Sequence, residues 1–315
     1  MRSSFVPLAV ASLVLASPAR ATTIHVPADE PSIQSGLLAA SPGDTVLVAP
    51  GRYRELILMT CGVTLRSSDG PEETVLLSPG MAEKIIDERL LHIPEGCDRS
   101  TVIEGFTFDP DGVSGCAVLV DGSPDHGADP VIRGNVFLQP WGWAIHLRHS
   151  KALIEENVID GANTFGILCR ASSPEIYRNT IKNCTPQAIS IVGKDSHPVI
   201  GGSPENGNKL LNNNRSVANE SVNDIDATYN DWGWETATEM DRKGYPADIE
   251  AIFDGNEEGK RGLGRGKVDY RHWVSPRELA AAESGGGRSV PWAIIVAVGL
   301  VGAFVLFARR RAAQA

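Results

Sequence analysis

The amino-acid sequence predicts an all-β solenoid, in which short parallel strands stack coil upon coil at about 22 residues per turn. Three observations carry this prediction. Asparagine recurs at one step: Asn135 in "PVIRGNVFLQ", Asn157 in "ALIEENVIDG" and Asn179 in "PEIYRNTIKN" are evenly spaced along the chain. Four apolar columns keep the same step: Ile132, Ile154 and Ile176; Phe137, Ile159 and Ile181; Ile145, Ile167 and Ile189; and Leu147, Cys169 and Ile191. Within each repeat, as in "AIHL" and "AISI", apolar residues alternate with polar ones, which is the period of a strand with one buried side. Strands this short bury that side only when the equivalent strand of the next turn lies alongside, about 4.8 Å further along the axis. Asn135, Asn157 and Asn179 then stack at a tight bend. Each amide bonds to the next and to backbone groups that the bend leaves unpaired, as buried polar groups require.

Along the chain, residues 1–21 are expected to be an export signal. Arg2 gives the positive start, Phe5 to Ala16 the apolar run and "ARA" the small-residue cleavage site. "EPSIQSGLLAAS" (30–41) is expected to form a short helix capping the first coil, with Ile33, Leu37 and Ala40 on one face and Gly43 past its end. "DTVLVAPG" and "GVTLRSSDG" are the first coils. "IEGFTF" aligns with "IRGNVF", with Phe106 in the asparagine's place. "CAVLV" aligns with "WAIHL" at a longer step than the asparagines keep, so "DGSPDHGADP" carries extra loop residues. The aromatic segments "YNDWGWET" and "VDYRHW" place a C-terminal cap over 229–275. Residues 276–289, with "ESGGGRS", form a flexible linker. "VPWAIIVAVGLVGAFVLF" then runs without a charge for about 18 residues, enough at ~1.5 Å per residue to span ~27 Å of bilayer core. We read 290–308 as a transmembrane helix and 309–315, with Arg309, Arg310 and Arg311, as a cytoplasmic tail. The order of linker, apolar helix and arginines resembles the C-terminal sorting signals of bacterial surface proteins. That resemblance implies a mature protein ending near Gly287; the other reading is a retained anchor.

Composition narrows the function. With 29 basic against 39 acidic side chains and a net charge of −10, no nucleic-acid partner is expected. Five cysteines without a CxxC or Cys/His cluster argue against a zinc site. Cys61 and Cys97 open similar segments, "CGVTL" and "CDRSTVIEGF", and are the expected disulfide; Cys169 falls on an inward strand position.

The run "SIQSGLLAASPGDTVLVAPGRYRE", then "GVTLRSSDG", "IEGFTF" and the asparagine repeats resemble right-handed parallel β-helix proteins of the pectate-lyase-like superfamily. "YNDWG" followed by "VDYRHWV" is similar to the closing segment of bacterial members. The resemblance spans roughly Thr23 to Val274. It implies a single-stranded right-handed parallel β-helix, and it leaves function open among lyases, hydrolases, epimerases and adhesins.

Outward columns are where chemistry would sit. Arg133 and Glu155, and Glu156 and Arg178, would face each other as charge pairs on a solvated ladder. Asp121, Arg148 and Arg170 share a column, which stacks two guanidiniums. His146 lies beside Arg148, and Trp141 and Trp143 just upstream. Guanidinium forks with an indole plate suit an acidic sugar, so these six residues form the expected ligand surface. Asp109, Asp111, Asp121, Asp125 and Asp129 could supply oxygens to calcium, but without EF-hand spacing they are expected to be turn residues, with no cofactor. No Asp or Glu pair is expected to stack on neighbouring coils of one outward face, and Asp109 and Asp160 lie two coils apart. The expected function is an exported, membrane-tethered module binding an extracellular polysaccharide. The alternatives are a polysaccharide lyase or glycoside hydrolase, and a protein-binding adhesin.

Overall fold

The computed structural model describes residues 20–79, 88–109, 115–140, 142–259 and 262–276. The expected export signal up to residue 19, Asp111, Trp141 and the expected apolar segment 290–308 lie outside the described residues. Among the described residues no helix is long and apolar enough to cross a membrane.

The chain is a parallel β-helix. Its strands form a ten-stranded sheet from Thr23–Val26 to Val268–Asp269, an eight-stranded sheet from Ile57–Leu58 to Ile252–Phe253, and a seven-stranded sheet from Gly51–Arg54 to Lys209–Leu211. In each sheet the order advances by one coil per strand, and every pairing among the described residues is parallel. The expected constant step holds at the centre, where Val131, Leu153 and Glu175 are successive register partners. Elsewhere the coil length changes. Thr45 pairs with Thr64 across a shorter coil, whereas Thr64 with Val102 and Val102 with Val131 span longer ones that carry loops. The strands keep register through these changes because inward columns such as Ile103, Ile132, Ile154 and Ile176 are fully buried. Each such side chain contributes roughly 1.5–3 kcal/mol.

The asparagines line up. Asn157 Nδ2 donates to Asn179 Oδ1 at 3.0 Å and to the Ile132 carbonyl at 2.9 Å, while its Oδ1 accepts from Asn135 N and Nδ2 at 3.0 and 3.2 Å. The row continues past the expected three: Asn179 Nδ2 donates to Asn208 Oδ1, and Asn208 Nδ2 to Asn230 Oδ1, both at 3.0 Å. At the other end Asn135 Oδ1 accepts from the Phe106 backbone, so the aromatic residue ends the row without an orphaned donor.

Helix α1 (Ile33–Ala39) is shorter than the expected span. Ser32 and Ser35 cap it reciprocally, and the Glu55 carboxylate accepts the Ile33 and Gln34 N–H groups at 3.0 Å. Ile33 and Leu37 are buried, and the helix lies against Thr23–Val26, Thr45–Val48 and Ile57–Leu58. Gly36 makes this seat close: a Cβ there would meet Val26 and Val46 at 3.1 Å. From α1, Gln34 reaches the outer edge of the eight-stranded sheet. Its Oε1 accepts from Leu58 N at 2.7 Å and its Nε2 donates to Leu58 O at 3.3 Å. Cys61 and Cys97 are joined by a disulfide, with Cα atoms 4.7 Å apart.

The C-terminal segment is more than an aromatic cap. It holds helix α2 (Gly233–Lys243), which the sequence reading did not foresee, and strands that continue two sheets. Trp232, Met240 and Tyr270 are buried there, and Trp273 Nε1 and Ser275 Oγ both donate to Asp241.

Candidate functional site

Each strand of the eight-stranded sheet gives one residue to an outward row. In register these are Leu58, His92, Leu119, His146, Leu168, Ser190, Ala218 and Phe253. Leu119 and Leu168 are only 4 % exposed, so the row has an apolar floor. Pro94, Asp121, Arg148, Arg170 and Val192 run along one side of it. Trp143, Phe165 and Gln187 form a row on the other side, as do Arg89 and Cys116.

The sheet therefore brings Asp121, Trp143, His146, Arg148 and Arg170 onto one face; Trp141 lies outside the described residues. The Trp143 and His146 rings pack with centroids 5.2 Å apart at 43°. Trp143 Nε1 is buried with no acceptor among the described residues. Asp121 Oδ1 pairs with Arg148 at 3.1 Å, which neutralises the upper guanidinium of the stack. Arg170, one coil further, has no carboxylate within ion-pair reach among the described residues.

Sequence reading missed His92. Its Nε2 lies 3.6 Å from Asp121 Oδ2, an electrostatic contact longer than a hydrogen bond. Burial, reinforced by the Arg89 charge, holds the imidazole below its ordinary value, while Asp121 pulls the other way. A neutral imidazole beside a carboxylate can accept a proton. The available signal was alignment: "RLLHI" precedes "CAVLV" by the same interval that separates "CAVLV" from "WAIHL".

His92, Glu95, Asp121, Arg148 and His149 border a cleft of about 410 Å³, and a second of about 300 Å³ follows at Asp129, His149, Lys151, Ser173 and Asp195. The inserted loop over Gly122–Pro130 walls both through Ser123 and Pro124. Gly122 lets that loop leave flat against the next coil, since a Cβ there would stand 2.5 Å from the His149 carbonyl.

Other expected groups lie elsewhere. Asp109 and Asp160 are on the seven-stranded sheet, paired with Arg52 at 3.8 Å and Lys182 at 3.2 Å. Arg133 faces Glu155 in register but pairs with Glu104 on the preceding coil, because Arg178 takes Glu155 as well as Glu156. The expectation that no carboxylates stack on neighbouring coils is corrected at Asp226 and Asp269, which are register partners on the ten-stranded sheet. Arg271 pairs with Asp269, and Thr228 donates to Asp226, so local partners offset the repulsion. Among the described residues no three His, Cys, Asp or Glu side chains gather as metal ligands. Asp121 takes part in the site as an ion-pair partner, Asp129 accepts from Lys151 N at 2.6 Å, and Asp125 lies on the loop between them. Cys169 and Cys184 are buried, which pushes the Cys184 thiol up to about 11 and Cys169 further. Neither has thiolate character at neutral pH.

No family model matches the chain, and no curated protein matches it. Among solved structures it is similar to a crystal structure of pectin methylesterase in complex with hexasaccharide VII. That match has a TM-score of 0.33 and 11% identity, and it covers 88% of this chain and 100% of the other.

Proposed function

We propose that the chain is a glycan-binding β-helix, and that its ligand lies over Trp143, His146, Arg148 and Arg170 on the outer face of the eight-stranded sheet. One observation carries the reading: Arg170 stands without a carboxylate, one coil from Arg148, beside an aromatic pair. Stacked like charges are unfavourable unless an anion joins them, and a sugar carboxylate beside an indole supplies both the charge and the apolar face. The export signal, linker and apolar C-terminal segment of the sequence complete the proposal: a module displayed outside the cytoplasm, tethered to the membrane or sorted to the cell surface.

A second reading is favoured by His92 and Asp121 in the 410 Å³ cleft. There a polysaccharide lyase would transfer the proton beside a uronate carboxylate to a neutral base. The electron pair forms the ring double bond, the glycosidic C–O bond breaks, and the leaving oxygen takes a proton from water. Purified protein incubated with uronate-containing and neutral polysaccharides, monitored for bound ligand, unsaturated products and reducing ends, separates the readings. Binding without turnover, lost in Arg170→Ala, supports the module; turnover lost in His92→Ala supports the lyase. An absence of glycan affinity refutes both and leaves a protein-binding adhesin.

A further inference from the structure

The coil that follows Tyr177 carries a dipeptide found at no other place in the sequence. Asn206 and Gly207 form its one Asn-Gly step, and every other asparagine is followed by a residue with a side chain. The pair closes the insertion between Val199–Ile200 and Lys209–Leu211, directly ahead of Asn208 in the amide row. Coil stacking fixes the glycine: a Cβ at Gly207 would stand 2.2 Å from the Tyr229 carbonyl oxygen. The fold therefore demands, at this position, the residue that leaves the asparagine Cγ least shielded from the next backbone nitrogen.

The surrounding hydrogen bonds set this amide apart from those of the row. Asn157 and Asn208 each spend Nδ2 on a backbone carbonyl and on the next asparagine. Asn206 Nδ2 and the Gly207 N–H have no acceptor among the described residues. Arg178, one coil earlier, donates twice: Nη1 to Asn206 Oδ1 at 2.8 Å, and its backbone N–H to the Asn206 carbonyl at 3.0 Å. The Asn206 N–H closes a turn onto the Ser203 carbonyl at 3.1 Å, and Pro204 and Glu205 in that turn are exposed, so water reaches the site. A guanidinium already facing the amide oxygen stabilises the negative charge that builds there when the amide carbon is attacked. The attacking nitrogen is held beside that carbon by the chain itself, so no encounter step is needed.

We infer that Asn206 is a self-modification site, which converts to aspartate and isoaspartate through a succinimide with Arg178 assisting. The Gly207 nitrogen bonds to Asn206 Cγ and closes a five-membered ring. The Cγ–Nδ2 bond breaks, and Nδ2 leaves as ammonia with the proton that Gly207 gives up. Water then opens the ring at one or the other carbonyl, so that one amide and one water become one carboxylate and one ammonium ion. The new carboxylate lies beside Arg178, which already holds Glu155 and Glu156. Opening at the backbone carbonyl gives isoaspartate and adds a methylene to the main chain two residues ahead of Asn208, whose backbone and side chain both belong to the row. The site is independent of the proposed glycan face, which lies on another sheet.

The test incubates the purified full chain at neutral and at alkaline pH, beside a synthetic peptide of residues 195–209. Trypsin releases the same segment from the protein, because Lys194 and Lys209 flank it. Mass spectrometry with fragmentation reads the exchange of NH2 for OH at each asparagine, and enzymatic methylation counts isoaspartate. Asn206 is expected to convert before every other asparagine, faster at alkaline pH, and at least as fast in the folded chain as in the peptide. Asn208, in the same tryptic segment, should stay an amide. Arg178→Gln is expected to slow conversion about tenfold, and Arg178→Lys to recover part of the rate; unchanged circular dichroism excludes loss of fold in either variant. Asn206→Gln should leave the segment unmodified. Conversion in the folded chain more than about tenfold slower than in the peptide, or first at another asparagine, overturns the site. A rate in Arg178→Gln within about twofold of wild type overturns the assistance by Arg178.

Discussion

Removing one amide from the asparagine row tests the physical basis of the fold. Asn157 is 1 % exposed and its side chain takes part in four hydrogen bonds. In Asn157→Ala the Asn135 backbone N–H, itself fully buried, loses the acceptor that serves it. Asn135 Nδ2 still reaches the Ile103 carbonyl, and Asn179 Oδ1 still accepts from the residue-157 backbone. One orphaned buried donor costs about 1–3 kcal/mol and each of the three other lost bonds about 0.5–1.5, so the loss should be near 5 kcal/mol. Urea unfolding followed by circular dichroism on the full chain measures it. Asn157→Asp keeps the acceptors and removes the donors, placing a carboxylate among buried groups. Its folded-state pKa should be raised, so its stability should be greatest at low pH and fall as pH rises through that value. A loss under about 1 kcal/mol in Asn157→Ala would refute the idea that these amides satisfy the bend, and would assign its stability to the apolar columns alone.

Two further outcomes follow from the geometry. Cutting the Cys61–Cys97 link, as Cys61→Ala with Cys97→Ala, frees a loop spanning 36 residues and should cost about 4 kcal/mol by loop entropy; a change under about 1 kcal/mol would place the constraint in the surrounding strands. The His92 imidazole should titrate below 6.5 by NMR. Its folded-state pKa is depressed, so its contribution to stability is present above 6.5 and lost as pH falls through the folded value. Asp121→Asn removes the charge that raises this value and should lower the midpoint further; a midpoint that rises in that variant would overturn the assignment.

What could be seen in the sequence was what repeats at a constant interval. Ile132, Ile154 and Ile176 state the coil length directly, because equal coils put equal residues in register. Asn208 and Asn230 belong to the same row as Asn179 but escaped, since "GGSPENG" lengthens that coil and breaks the step. Asp226 and Asp269 were missed for the same reason, with α2 inserted between their strands. The face carrying Asp121, Trp143, His146, Arg148 and Arg170 was legible because "CAVLV", "WAIHL" and "FGILC" align without a gap inside the strands. Phe253 joins that face only through three-dimensional stacking on the last coils. The choice Arg133 makes between Glu104 and Glu155 was beyond any column rule, as it depends on where Arg178 reaches.

An open solenoid offers its first strands to any other chain as a ready template, and identical molecules could then polymerise head to tail. The Gln34 amide answers this at Leu58, donating and accepting as a neighbouring backbone would. An incoming copy would have to break two internal bonds before forming its own there. The molecule thus blocks filament growth at this edge with a single side chain borrowed from a helix.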